Sequence, residues 1–319
     1  MTRAVVFAYH DVGVRCLKVL ISHGVDIPLV VTHRNSPGET IWFGSVAQTA
    51  RDYGIAVIEP DDVNAPEVVE RVRECAPQFL FSFYFRQMIK APLLSLGERG
   101  AFNMHGSLLP RYRGRVPVNW AVLKGERETG ATLHAMTVKP DDGAIVDQQA
   151  VPILPDDTAG EVFAKVTVAA EMVLDRCVPA LIAGRAKLRA QDPAQASYFG
   201  GRKMEDGRID WASGARAIHD LVRAVAPPYP GAFTALGGGT LRILRTFRTA
   251  ATEREPDPAI GPALFVADGA LYARCADGAT LRIAAAEFDG EDVGADAFAR
   301  RFGDVCAMPA AHADASLRQ

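Results

Sequence analysis

Between residues 3 and 105, short β-branched or aromatic runs alternate with stretches whose apolar residues recur at helical spacing, and this alternation limits the available folds more than any other feature. The runs are 3–8, 27–32, 56–58, 79–83 and 101–104, and the helical stretches between them are 14–21, 46–53 and 65–75. Strands separated by helices must be joined by crossovers, and these are right-handed when the strands run parallel. The pattern therefore predicts an α/β architecture, a doubly wound and mainly parallel sheet. Ligands of such sheets sit beyond the carboxyl ends of the strands, which directs attention to the residues that follow each run.

The rest of the chain changes character. Runs 128–136 and 145–153 flank a turn-rich loop, Lys139-Pro140-Asp141-Asp142-Gly143, and Asp157-Thr158 offers an N-cap to an apolar helix reaching about residue 182. Residues 186–197, rich in Ala, Gln and Asp, read as a linker. A helix over 213–225 and short strands at 232–235, 241–246, 271–274 and 280–287 predict a smaller, mostly β domain resembling a five-stranded, OB-like barrel. Gly237-Gly238-Gly239 falls between two of these strands, which suits a hairpin turn better than a phosphate cradle. A length of 319 residues suits two domains: 1–190, a linker at 191–205, a second domain at 206–305 and a tail at 306–319.

Charge and motifs remove several functional classes. A formal charge of −3 argues against a general nucleic-acid binder or a polybasic membrane-surface protein. The apolar runs are too short to span a bilayer, and residues 1–8 read as a first strand rather than a signal peptide. Five scattered cysteines without a CxxC pair suggest reduced thiols, a cytoplasmic location and no zinc framework. HExxH, GxSxG, the P-loop and GxGxxG are all absent.

The densest polar cluster is Asn103-Met104-His105-Gly106-Ser107-Leu108-Leu109-Pro110-Arg111-Tyr112-Arg113-Gly114-Arg115. Strand alternation points Asn103 and His105 to one side. An amide that can stabilise an oxyanion beside an imidazole that can move a proton suits acyl transfer, although a histidine can also simply close a strand. The arginines favour a phosphate or carboxylate ligand, or else form a solvated basic loop. Asp141, in a Pro-Asp-Asp-Gly turn, would orient His105 if its loop folds back, but Asp is common in turns for local reasons. Tyr9-His10-Asp11 and His33-Arg34 follow strands and are weaker candidates, while His134, inside a strand, reads as a core or edge histidine.

Asn103-x-His105-Gly-Ser-Leu-Leu-Pro110-x-Tyr-Arg113-Gly114, then Thr129-Gly130, then Asp141-x-Gly143 resembles the signature of the folate-dependent formyltransferases. Further segments resemble one branch of that family: Phe7-Ala8-Tyr9-His10-Asp11-x-Gly13, Pro37-Gly38-Glu39, Ser82-Phe83-Tyr84-x-Arg86 and Arg223-Ala224-Val225-Ala226-x-Pro228-x-Pro230-Gly231. That branch is the formyltransferase part of bifunctional polymyxin-resistance proteins, which formylates UDP-4-amino-4-deoxy-L-arabinose for lipid A modification. The resemblance implies a Rossmann-like catalytic domain followed by a barrel-like one. It implies that Asn103, His105 and Asp141 are catalytic. Gln87, Met88, Ile89, Arg115, Thr137, Val138, Lys139 and Pro140 would contact 10-formyltetrahydrofolate, the co-substrate, and no metal is implied. Tyr9, Arg111, Arg113, Arg202 and Lys203 are the candidates for holding the nucleotide sugar. The bifunctional proteins also carry an NAD-dependent decarboxylase half with a glycine-rich motif that this sequence lacks, so decarboxylation is not expected.

The main rival is methionyl-tRNA formylation, which needs phosphate neutralisation. Residues 206–319 contain twelve Arg and no Lys against fifteen Asp and Glu, and residues 33–46 contain one Arg and no Lys. Both features favour a small nucleotide-sugar substrate over a polyanion, with no nucleic-acid or membrane partner. Other nucleotide-linked amino sugars, and homo-oligomerisation, stay open.

Overall fold

The computed structural model describes residues 1–36, 38, 40–249 and 255–309. Two members of the Pro37-Gly38-Glu39 motif, and most of the expected tail, lie outside the described residues. The chain forms two compact units: unit 1 comprises Met1–Val118, Glu128–Pro152 and Val162–Gly201, and unit 2 the remainder.

In chain order the elements are β1 (Arg3–Ala8), α1 (His10–Ser22), β2 (Asp26–Val31), α2 (Val46–Asp52), β3 (Ala56–Ile58), α3 (Pro66–Glu74), β4 (Phe79–Phe83), α4 (Ala91–Leu94), β5 (Ala101–His105), β6 (Arg113–Gly114), α5 (Pro117–Leu123), β7 (Glu128–Ala135), β8 (Ile145–Pro152) and α6 (Ala159–Ile182). Then follow β9 (Tyr198–Phe199), α7 (Ala215–Val225), β10 (Ala232–Leu236), β11 (Gly239–Arg248), β12 (Ala263–Ala267), β13 (Ala270–Arg274), β14 (Thr280–Phe288), β15 (Glu291–Asp292), α8 (Ala295–Phe302) and β16 (Val305–Ala307).

Unit 1 holds a seven-stranded sheet in the order β3-β2-β1-β4-β5-β7-β8. The first five strands are parallel, and β7 and β8 pair antiparallel. The doubly wound, mainly parallel sheet expected from the sequence is present. Because helices cover such a sheet, its central strands need apolar side chains in both directions: β4 is buried at all five positions, and β1 at all but its first. Helix starts have local causes. Ser45 caps α2 by accepting the Gln48 N–H at 3.1 Å, and Pro66 opens α3 where no backbone donor is needed. α1 begins at His10, four residues before the periodicity predicts, because aromatic packing around His10 holds its turn in place. β5 extends one residue beyond expectation, so His105 is the last residue of its strand, as far toward the carboxyl edge as the ladder reaches.

Unit 2 is built around an antiparallel sheet in the order β10-β11-β14-β13-β12-β16, with β15 added beside β14. α7 packs its Ile218 and Val222 into a core with Trp211, Leu241, Ile243, Leu264, Leu281 and Phe298. Gly237 and Gly238 take positive φ values of 52° and 83° and form the two-residue β10–β11 hairpin turn, where residues with a Cβ are strained. A reciprocal capping box begins α6: Thr158 Oγ1 accepts the Glu161 N–H at 3.2 Å, and Glu161 accepts the Thr158 N–H at 2.7 Å. No helix among the described residues is long and apolar enough to cross a membrane.

Candidate active site

Three side chains meet at the carboxyl end of β5. Asn103 and His105 share one face of the strand, and the 136–143 loop returns Asp141 so that its Oδ1 lies 3.5 Å from His105 Nδ1. The other His105 nitrogen, Nε2, donates to the Tyr112 carbonyl at 2.8 Å, which fixes the ring and leaves Nδ1 toward the carboxylate. Asp141 Oδ2 accepts the Gly114 N–H at 2.9 Å. Gly114 has φ +98° and lies where any Cβ would meet the Phe199 carbonyl oxygen at 2.2 Å, so a larger residue would displace this donor.

Two residues that sequence reasoning did not assign to the site complete it. His134, opposite Asn103 in the β5–β7 ladder, places Nε2 3.1 Å from Asn103 Nδ2 and 3.5 Å from Asp141 Oδ1. Its Nδ1 donates to the Ala135 carbonyl at 2.9 Å, so Nε2 accepts from the Asn103 amide. His134 is a core histidine, 1% exposed, as read from its strand position, yet it also orients Asn103. Gln191 donates to the carbonyls of Asp141 and Gly143 at 2.8 and 2.7 Å and pins the returning loop. The strand register would have flagged His134; nothing local marks Gln191.

The electrostatics follow from burial against charge. Burial opposes ionisation of Asp141, but the charge of His105, the His134 contact and the Gly114 N–H outweigh it and hold the carboxyl well below its usual range. Burial pushes the His105 imidazole below its ordinary value, against the opposing pull of Asp141 and the Tyr112 carbonyl. The resting imidazole is therefore a base at neutral pH facing an ionised carboxylate. A proton arriving on Nδ1 is shared between them. This arrangement can orient an amide donor toward a developing oxyanion and pass a proton from an attacking group.

The loop after β5 is tied down. Ser107 Oγ donates to the Arg111 carbonyl at 2.7 Å, Thr132 Oγ1 to the Ser107 carbonyl at 2.6 Å, and Gln148 to the Leu109 carbonyl at 2.8 Å. A Cβ on Gly106 would meet Tyr84 Oη at 2.0 Å, which explains glycine beside His105.

Of the residues expected to hold folate, Gln87 is latched to the preceding loop, accepting the Val63 N–H at 2.8 Å and donating to the Asp61 carbonyl at 3.0 Å. Met88 is exposed and Ile89 is buried in the sheet core. Thr137 Oγ1 donates to the Lys139 carbonyl at 2.9 Å, Tyr198 donates to the Pro140 carbonyl, and Val138 is 72% exposed. Arg115 is exposed, its backbone paired to Phe199.

The expected sugar-nucleotide residues occupy several environments. Arg113 is 6% exposed; its guanidinium grips Gln191 at 2.7 and 3.1 Å and Asp142 at 2.5 Å, so it acts within the site's own scaffold. Arg111 is exposed beside the Tyr112 ring. Tyr9 donates to Asn35 Oδ1 at 3.0 Å beneath the Arg86 guanidinium. His33 Nε2 accepts the Arg86 N–H at 2.9 Å, and Arg34 lies 3.6 Å from Asp61. Arg202 and Lys203 belong to unit 2, where Arg202 donates to the Asp206 carbonyl at 2.9 Å and the Lys203 N–H bonds the Asp206 carboxylate at 2.7 Å.

A doubly wound sheet with an amide, an imidazole and a carboxylate at one strand end, followed by a curled β unit, is suited to group transfer. The chain belongs to the formyl transferase family: residues 15–178 match its formyl transferase model and residues 202–303 its C-terminal domain. Among solved structures, the chain is similar to WlaRD, a sugar 3N-formyl transferase crystallised with dTDP and 5-N-formyl-THF (TM-score 0.69, 20% identity, covering 88% of this chain and 97% of that one). It is also similar to the N-formyltransferase of Helicobacter canadensis in complex with folinic acid and dTDP-3-aminofucose (TM-score 0.68, 19% identity, covering 92% and 100%). HypX from Aquifex aeolicus matches over 95% of this chain but 47% of its own length (TM-score 0.63, 17% identity).

Proposed function

We propose that this formyltransferase moves a formyl group from 10-formyltetrahydrofolate to the amine of a nucleotide-linked amino sugar, with UDP-4-amino-4-deoxy-L-arabinose the substrate its motifs favour. That substrate would place the enzyme in lipid A modification. The observation that carries the reading is the 3.5 Å approach of Asp141 to His105, with Asn103 on the same strand face. The two sugar N-formyltransferases similar to it, one with dTDP and 5-N-formyl-THF and one with folinic acid and dTDP-3-aminofucose, support the choice of donor and of substrate class. The exposed Met88 and Val138 side chains suit contact with a flat, partly apolar pterin.

The donor supplies the formyl carbon that the sugar amine attacks. Asn103 is held by His134 through one N–H, leaving its second N–H for the oxygen that gains charge. The amine adds to the formyl carbon to give a tetrahedral intermediate. His105 takes the amine proton on Nδ1 while Asp141 stabilises the imidazolium, and that proton passes to N10 of the folate as the formyl–N10 bond breaks and tetrahydrofolate leaves. The 3.5 Å separation of Asp141 from Nδ1 exceeds hydrogen-bond length, so the reacting amine can share the approach to Nδ1. We further propose that Arg111 and Tyr9 contact the nucleotide sugar, and that the 87–89 and 137–140 segments and Arg115 contact the folate.

The test is tetrahydrofolate release with one donor and three acceptors: UDP-4-amino-4-deoxy-L-arabinose, dTDP-3-aminofucose and methionyl-tRNA. Turnover with an amino sugar nucleotide that His105→Ala abolishes is the expected result. Turnover with methionyl-tRNA alone would replace this substrate assignment.

A further inference from the structure

We propose that unit 2 carries a second ligand site, for a phosphate-type oxyanion, in a cavity lined by none of the residues assigned to formyl transfer. The cavity, about 220 Å³, is walled by the 125–127 and 153–155 segments, α7 and the end of β11. Arg127, Arg216, Arg223 and Arg248 line it against two carboxylates, Glu126 and Asp220. Residues 206–319 as a whole carry more acidic than basic side chains, so this concentration of guanidinium runs against the surrounding charge.

The hydrogen bonding of the cavity wall is incomplete at Arg223. Arg223 is 4% exposed; its Nη2 donates to Asp220 and its Nη1 to the Asp157 carbonyl at 2.9 Å, yet its Nε is buried with no partner. A buried donor of this kind is destabilising until an acceptor arrives. Asp220 is already divided between Arg223 and Arg216, the latter at 3.7 Å, so it offsets only part of the charge. Arg127 and Arg248 are exposed and make no ion pair among the described residues. His219 contributes wall rather than charge: burial lowers its pKa, and its nitrogens are committed to the Thr246 hydroxyl at 2.9 Å and the Pro155 carbonyl at 3.0 Å.

Guanidinium groups pair with phosphoryl oxygens in bidentate geometry. The volume is below the roughly 300–1,000 Å³ that encloses a drug-sized ligand, which suits a diphosphate group, free or as the terminus of a nucleotide whose base stays outside.

The test titrates the full chain with inorganic diphosphate by calorimetry, comparing wild type, the double variant Arg127→Gln/Arg248→Gln and the single variant Arg111→Gln in unit 1. Both substitutions of the double variant are at exposed positions, and an unchanged Tm verifies its fold. Saturable binding that weakens at least tenfold in the double variant, about 1.4 kcal/mol, but not in Arg111→Gln, is expected. Diphosphate affinity equal in wild type and double variant, or no wild-type binding at low millimolar diphosphate, overturns the proposal. A UDP competition arm identifies the source: displacement of diphosphate by UDP that disappears in the double variant points to a nucleotide, and its absence to the free anion. The outcome is independent of the formyl-transfer assay, since no residue of this cavity is assigned to that reaction.

Discussion

Replacing Asp141 by Asn changes one charge and almost no shape. An Asn Oδ1 can still accept the Gly114 N–H that Asp141 accepts at 2.9 Å, and Gln191 still holds the backbone at residues 141 and 143, so the loop keeps its path. What disappears is the attraction between the carboxylate and an imidazolium 3.5 Å away. At that separation and an effective dielectric of about 20, the Coulomb energy is about 5 kcal/mol, and desolvation of both partners offsets part of it. If about 3–4 kcal/mol survives in the transition state, kcat falls by about 10²–10³. KM should move little, because the lost interaction grows only as His105 gains its proton. The acid limb of the pH–rate profile should move to lower pH, because the imidazole loses the charge that favours its protonated form. Stability has its own sign. The native Asp141 pKa is depressed, so its contribution is complete above the ordinary carboxylate value and is lost as pH falls below about 4. Urea unfolding of Asp141→Asn should therefore depend less on pH in that window than wild type. Stopped-flow measurement of tetrahydrofolate release gives kcat. Retention of more than about a tenth of the wild-type value would refute the proton-sharing argument.

Arg113→Lys keeps a cation but cannot grip Gln191 and Asp142 together; kcat should drop about 10–100-fold with KM within about threefold, whereas a substrate-binding arginine would raise KM instead. Gly106→Ala forces a Cβ against Tyr84 Oη and should cost about 1–3 kcal/mol in denaturant unfolding together with much of the activity, and adding Tyr84→Phe should restore part of both. In unit 2, Trp211→Ala empties a fully buried position and breaks the 3.1 Å bond to Thr234 Oγ1; about 3–5 kcal/mol of stability should be lost, visible as a lower Tm, with kcat unchanged below the transition.

Local signals were enough for much of this molecule. The alternation of β-branched runs with helical periodicity specifies crossovers, and crossovers specify a parallel sheet, because both are properties of neighbouring residues. The glycine turn at 237–239 and the Asp157-Thr158 cap before α6 are likewise read from adjacent residues, and the Asn103-x-His105 spacing places two functional groups on one strand face without any tertiary information.

The tertiary structure alone decides what depends on distant segments meeting. Asp141 faces His105 because a loop returns across β5 and is pinned by Gln191, some fifty residues further on. His134 becomes part of the site only through the antiparallel β5–β7 register, and Arg113 moves from ligand candidate to buried scaffold because Gln191 and Asp142 converge on it. The arginine cavity of unit 2 draws on four separate stretches of chain. Sequence determines what each short segment prefers. Which charges end up within a few ångströms is set by packing, and at those distances electrostatic energies outweigh any local propensity.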